Sequence, residues 1–171
     1  MSDLRPDTGD MQLEGQRDPL TGLPGIEAVR ARLGEWIGQG RGSGDGPRLH
    51  VLLLGLRRFD ALNLAYGTSA GDAALVEVAN RLTHFAASEL DGPWIAARSG
   101  GSNFLLVANE TCSRQRWQLF AGQLADLVSR PIVTAGGAVL RLTPRTALLR
   151  GVGGENAESV FDRLGQTIAN M

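Results

Sequence analysis

The chain has 171 residues, enough for one domain of ordinary size, and a hydrophobic content of 43%, enough for a core. Charged residues make up 20% and the formal net charge is −1, so no basic field points to nucleic acid and no acidic excess points to disorder. The apolar runs are too short to span a bilayer, and the polar N-terminus lacks the apolar h-region of a secretory signal. The single cysteine, Cys112, excludes an internal disulfide and any multi-cysteine zinc site, so a cytoplasmic module with no membrane contact is expected.

In chain order, residues 1–16 read as a flexible leader or linker, and residues 17–171 as the domain. "RDPLTGLPG" (Arg17 to Gly25) is a compact loop punctuated by Pro and Gly. Ile26, Val29, Leu33 and Ile37 recur at helical spacing, and Gly38 to Pro47 reads as a surface loop. Leu49 to Leu56 is a continuous apolar run, which predicts a central strand covered on both faces. "RRFDALNLAYG" predicts a short helix ended by Gly67. A longer helix follows, with Leu75, Val78, Ala79, Leu82 and Phe85 on one stripe and Ser69 or Asp72 as its cap. "WIAARSGGSNFLLVA" predicts a hairpin. Trp117, Phe120, Leu124 and Leu127 form the inner face of the next helix. The stretch from Pro131 contains a Gly-Gly turn and two more strands, with Pro144 at an edge or a bulge, and a last helix is capped near Asn156 or Ser159. This order predicts an α/β (α+β) sandwich with a mixed sheet.

Some residues invite a chemical reading that their surroundings do not support. His50 and His84 are isolated and read as surface or half-buried structural residues. Cys112 reads as a small residue near a helix start. Gly151 to Gly154 lacks the Lys-Ser/Thr of a phosphate loop and reads as a plain turn. Trp36, Trp94 and Trp117 read as core or partly buried anchors.

Four segments line up in order and spacing: "DPLTGLPG", "LLLGLRRFDALNLAYGTSAGD", "ARSGGSNFLLV" and the closing helix. Within the second lies Phe59, Asn63, Tyr66, Gly67, Gly71, Asp72. Together they resemble the GGDEF family of diguanylate cyclases over about residues 17–171. The resemblance implies a cyclase-like central mixed sheet of about five strands flanked by helices, with an added hairpin. Active family members join two GTP molecules into cyclic di-GMP across a dimer of domains.

A ribose 3′-hydroxyl must there attack an α-phosphorus, a step that uses divalent metal to neutralise phosphate charge. By the resemblance, one metal-binding carboxylate ends the first strand and another takes the third position of the signature turn. This chain has Gly55 and Ser102 there, within the turn Gly100, Gly101, Ser102, Asn103, Phe104. Arg57 stands where a second Asp is frequent, and Asp60 where a phosphate-binding Lys is usual. Asn63 and Asp72 match the family's guanine-contacting residues, and an amide and a carboxylate suit guanine's Watson–Crick edge. Both also have structural readings, as a helix-end residue and a helix cap. Asp91 and Trp94 replace the Arg and Asp of the product-inhibition site.

The expectation is therefore a degenerate GGDEF domain: no catalytic residues, no metal, no cofactor, and a regulatory role in a cyclic di-GMP signalling protein. Its implied partners are protein domains, including an EAL phosphodiesterase domain in the same chain, and a second copy in a homodimer. Two alternatives are a sensor that binds GTP, weakly for want of the Lys, and a residual cyclase.

Overall fold

The computed structural model describes residues 17–40, 49–110, 112–150 and 157–170. The leader at 1–16, most of the loop expected after Gly38, the Gly151 to Gly154 turn and Asn156 lie outside them. The element order is α1 (Ile26–Gly40), β1 (Leu49–Arg57), α2 (Phe59–Tyr66), α3 (Thr68–Glu89), β2 (Trp94–Gly100), β3 (Asn103–Asn109), α4 (Arg114–Val128), β4 (Ile132–Val133), β5 (Val139–Leu140), β6 (Thr143–Arg150) and α5 (Ala157–Asn170). The first helix thus runs through Gly38 to Gly40 rather than ending before them.

Among the described residues the main sheet has four strands in the order β2-β3-β1-β6, and β4 pairs with β5 in a separate ribbon. Every pairing is antiparallel. The α/β class and the helix-flanked central sheet are as expected; among the described residues the sheet is four-stranded and antiparallel rather than mixed and five-stranded. The helical connections explain the difference. The α2–α3 connection joins β1 to β2, which run the same way, and β3 fills the slot between them in the opposite sense. The α4 connection joins β3 to β6 in the same manner around β1. Crossover connections seen in a sequence suggest neighbouring parallel strands, whereas here each crossover skips one position.

β1 is buried from Leu49 to Leu56. Side chains alternate across a strand, so Leu52, Leu54 and Leu56 enter one core and Leu49, Val51 and Leu53 the other. The first core packs under α3 and α4, and the second under α1 and α5. β3 divides likewise, with Phe104, Leu106 and Ala108 on the first side and Leu105 and Val107 on the second. In α3 the buried stripe is Leu75, Val78, Ala79, Leu82, Phe85 and Ala86, and in α4 it is Trp117, Phe120, Ala121, Leu124 and Val128. Val128, rather than the half-buried Leu127, completes the α4 stripe. Truncating one fully buried leucine of this core costs about 2–5 kcal/mol.

Polar fasteners hold the helix ends. The Ser113 hydroxyl accepts from the Arg116 amide at 3.0 Å and caps α4. At the other end Arg81 of α3 donates to the carbonyls of Leu127 (3.0 Å), Arg130 (2.8 Å) and Pro131 (3.1 Å) while paired with Glu77. One guanidinium thereby satisfies carbonyls that a helix C-terminus leaves without partners. α3 begins at Thr68 behind Gly67, with no side-chain cap bond, so neither Ser69 nor Asp72 caps it. Ser159 lies inside α5 rather than at its cap. Pro144 sits in β6, an edge strand, as its missing N–H requires.

His50 departs from expectation. It is fully buried, whereas His84 is exposed. Its ring lies 5.4 Å from that of Trp117, whose indole N–H donates to the Val51 carbonyl at 3.1 Å. Among the described residues neither imidazole nitrogen has a hydrogen-bond partner of good geometry, and the Glu110 backbone makes at most a weak contact with the ring. Burial depresses the His50 pKa, the charge of Arg150 lowers it further, and Glu110 opposes the shift. The folded chain therefore carries His50 neutral, while the unfolded chain takes up a proton near the ordinary histidine value. That stability is complete above the unfolded pKa and is lost as pH falls below it. Denaturant unfolding at pH 7 and pH 5 should show lower stability at pH 5, with a slope no steeper than about 1.4 kcal/mol per pH unit. His50→Leu should flatten this dependence; an unchanged slope would refute the assignment.

Candidate functional site

The β2–β3 turn is shaped by its two glycines. Gly100 has φ of 122° and Gly101 a φ of 54°, values that side chains resist. A Cβ on either would meet nothing within 4 Å, so backbone conformation and not space requires glycine. Arg98, just before the turn, donates to the Gly101 carbonyl from Nε at 3.0 Å and from a terminal nitrogen at 2.7 Å. Its other terminal nitrogen reaches both carboxylate oxygens of Asp18, at 3.1 and 3.0 Å. Asp18 also accepts from the Thr21 amide (2.8 Å) and hydroxyl (2.7 Å). The Arg98 amide donates to the Pro24 carbonyl at 3.1 Å. The "DPLTGLP" loop is thus clasped to the hairpin by one ion pair with side chains only 15% and 19% exposed. Burial raises the Asp18 pKa, but the bonds from Thr21 and Arg98 outweigh it and leave the carboxyl below its ordinary value.

β1 emerges beside this turn. Gly55 stands opposite Asn103 of β3 on one side and Arg145 of β6 on the other. The Leu56 amide donates to the Ser102 carbonyl at 3.2 Å. The two positions singled out in the sequence, Gly55 and Ser102, are therefore brought to the same end of the sheet. An open hollow of about 320 Å³ lies there, lined by Gly55, Leu56, Arg57, Arg58, Asn103, Arg145 and Ile168. Arg58 is the one described non-glycine residue with positive φ, at 57°, and it precedes the first turn of α2 without a side-chain cap bond.

Magnesium requires hard oxygen ligands, chiefly carboxylates. Gly55 offers no side chain, Ser102 a neutral hydroxyl, Asn103 an amide and Arg57 a positive charge. Among the described residues no group of three or more His, Cys, Asp or Glu side chains is placed to hold a metal ion. The residues at this end of the sheet do not fit a magnesium site.

Asn63 and Asp72 lie apart from the hollow. Asn63 Oδ1 is buried without a hydrogen-bond partner and points at Gly71 of α3. A Cβ at Gly71 would fall 1.7 Å from that oxygen, so the glycine lets α2 and α3 close together. Asp72 is the next residue and is exposed. The two candidates thus share the α2–α3 hairpin, with the carboxylate free to solvent. In the Asp91–Trp94 stretch, the Glu110 carboxylate accepts from the amides of Asp91 (3.0 Å) and Gly92 (2.8 Å), and the Asn109 amide donates to the Pro93 carbonyl at 2.9 Å. Sequence reasoning missed Arg145 and Ile168, because only strand register and helix packing bring them to the hollow. It also missed the Asp18–Arg98 pair, whose partners are 80 residues apart.

Comparison with known proteins gives a consistent result. The family model described as "Diguanylate cyclase, GGDEF domain" matches residues 16–169. Diguanylate cyclase DgcP of Pseudomonas aeruginosa is 29% identical over 159 residues, 93% of this chain and 23% of that protein. The uncharacterized protein y4lL of Sinorhizobium fredii is 34% identical over 124 residues, 71% of this chain and 14% of that protein. The chain thus spans less than a quarter of either relative's length. Among solved structures, a sensory box/GGDEF family protein from Caulobacter crescentus superposes with a TM-score of 0.73 at 29% identity, covering 88% of this chain and 94% of that one. Diguanylate cyclase SiaD of Pseudomonas aeruginosa, solved in complex with its activator SiaC, gives 0.77 at 26%, covering 94% and 59%.

The clasp makes a measurable claim. Arg98→Ala leaves a mostly buried carboxylate and the Gly101 carbonyl without their partner, which should cost about 2–3 kcal/mol in urea unfolding. Arg98→Lys should recover little of that loss, because a point charge cannot bridge Asp18 and Gly101 as the guanidinium fork does. Wild-type stability in Arg98→Ala would contradict this role.

Proposed function

The chain belongs to the GGDEF domain family, and we propose that it acts there as a non-catalytic regulatory module of a cyclic di-GMP signalling protein. The observation that carries this reading is the row Asn103–Gly55–Arg145 across β3, β1 and β6, which offers no carboxylate where the family's metal chemistry is expected. Ring closure needs a divalent cation to offset the charge gathering on phosphate oxygens. Replacing one ligand could be compensated by a neighbour. Gly55, Ser102 and Arg57 together remove the ligands and reverse the local charge, and Asp60 adds repulsion where a lysine would help.

The role of such a module is interaction. The curated relatives above are several times longer than this chain, which supports a place within a multidomain protein; the reading puts that protein in the cytoplasm. An EAL phosphodiesterase domain in the same chain, or a second copy of this domain, is the partner this reading assigns. A second reading, a GTP sensor that tunes a neighbouring phosphodiesterase, is favoured by the exposed Asp72 beside Asn63 and by the cationic hollow.

Purified protein incubated with GTP and either Mg²⁺ or Mn²⁺ should yield no cyclic di-GMP above a protein-free control, as read by chromatography. Accumulating product would defeat the proposal and restore a residual cyclase.

A further inference from the structure

We propose that His50 is a proton-operated latch at the end of the sheet opposite the hollow. Taking up a proton there favours release of the N-terminal half of α4, with the adjoining ends of β1 and β6, while the rest of the domain stays folded. Such a latch works whether or not the chain makes cyclic di-GMP. Among the described residues His50 is the only buried polar or charged one. It stands opposite Ala108 of β3 and Arg150 of β6, so all three side chains share the face of the sheet that α4 covers. The Trp117 ring of α4 lies 5.4 Å from the imidazole and meets Phe120 edge-on at 5.8 Å.

The groups around His50 set the direction of the effect. Arg150 brings positive charge from β6, and Glu110, just after β3, opposes it. The Glu110 carboxylate is already engaged by the Asp91 and Gly92 amides. From Arg114 to Ala125 α4 carries no acidic residue, and its Arg116 guanidinium sits over the Phe120 ring at 5.0 Å. Burial raises the pKa of the Cys112 thiol just before α4, so that group stays neutral. An imidazolium has two N–H donors to satisfy, and no acceptor of good geometry is at hand among the described residues. Charging the ring beside Arg150 in a buried place is therefore costly, and moving α4 aside to admit water removes that cost.

The fold confines the response to one end. His50 is the second residue of β1, Arg150 is the last of the edge strand β6, and Trp117 lies in the first turn of α4. The far end of α4 is held separately, by the Arg81 bonds to the carbonyls of Leu127, Arg130 and Pro131. α4 can thus hinge about its C-terminal half. At neutral pH the open form is rare, because it exposes the buried Trp117 and Phe120. Cys112, buried immediately before the Ser113 cap, becomes accessible in the open form and reports it.

The rate at which 4,4′-dithiodipyridine modifies Cys112 in the native full chain, divided by the rate in urea-unfolded chain at the same pH, reads the open population. This ratio should rise about threefold or more from pH 7 to pH 5, and by no more than about tenfold per pH unit, the limit for one proton. Hydrogen exchange, corrected for intrinsic rates, should lose protection over residues 114–121 and 148–150 ahead of α1 and α3. His50→Leu should abolish the rise in Cys112 reactivity. Arg150→Gln, which keeps the imidazole and removes the facing cation, should diminish it. A ratio that stays level between pH 7 and pH 5, or protection lost evenly across the domain, would overturn the latch. So would a wild-type response in His50→Leu or, should that variant not fold, in Arg150→Gln. None of these measurements involves a nucleotide, so their failure leaves the regulatory reading standing, and cyclic di-GMP formation would leave the latch standing.

Discussion

The structure depends on the double burial of β1. Eight residues from Leu49 to Leu56 are enclosed, so the strand must satisfy its backbone through neighbours on both edges and its side chains through cores on both faces. β3 and β6 supply the edges, and the alternating Leu and Val side chains supply the two cores. Register is then fixed, because a slip of one residue would exchange the two sets of side chains. A strand so fixed delivers its last residues to one place. Gly55 comes between Asn103 and Arg145, and Arg57 leaves the sheet where α2 begins. The hollow is a consequence of this row, with a residue that has no side chain at its centre.

The polar contacts near the site act on its borders. Arg98 joins the "DPLTGLP" loop to the turn by satisfying Asp18 and Gly101 together, and Glu110 secures the loop at the opposite end of the hairpin. Both replace a loop's backbone demands with a charged side chain held in a defined place. A turn fixed in this way keeps Ser102 and Asn103 beside β1 whatever their side chains are. The signature glycines and the buried Phe104 belong to the same category, since turn conformation and core packing require them independently of any ligand.

The sequence made some of this legible. Helices α1, α3 and α4 declared themselves by the spacing of Val29, Leu33, Leu75, Leu82, Trp117 and Phe120, because burial on one helical face imposes a period. β1 declared itself by an unbroken apolar run, and the β2–β3 hairpin by Gly100-Gly101. Strand order was not legible, since a helical crossover shows that two strands run the same way and not whether they are neighbours. Caps were misread at α3 because Ser69 and Asp72 are chemically able to cap, while the backbone starts the helix one residue after Gly67. His50 was misread because a polar residue at the start of a strand is usually near solvent, whereas here it lies between β3 and β6 with the Trp117 ring against it. Of the hollow, Gly55 and Arg57 were visible as substitutions against a family pattern. Arg145 joins them through a pairing 90 positions away in the chain, which no local signal contains.

Fold and charge are separable in this domain. The two cores are filled by residues that have no part in metal or phosphate chemistry, so the architecture places no demand on the sign of the charge at the end of β1. A carboxylate pair there would make a divalent cation favourable by offsetting the cost of removing it from water. With guanidinia in the same space, a cation meets repulsion and an oxyanion meets complementary donors. The exposed rim keeps these effects at the scale of solvent-screened interactions, weakened as ionic strength rises. Gly55, Gly100 and Gly101 fix the shape of this end of the sheet, and apart from the buried position 55 its polarity is set by side chains that the two cores do not use.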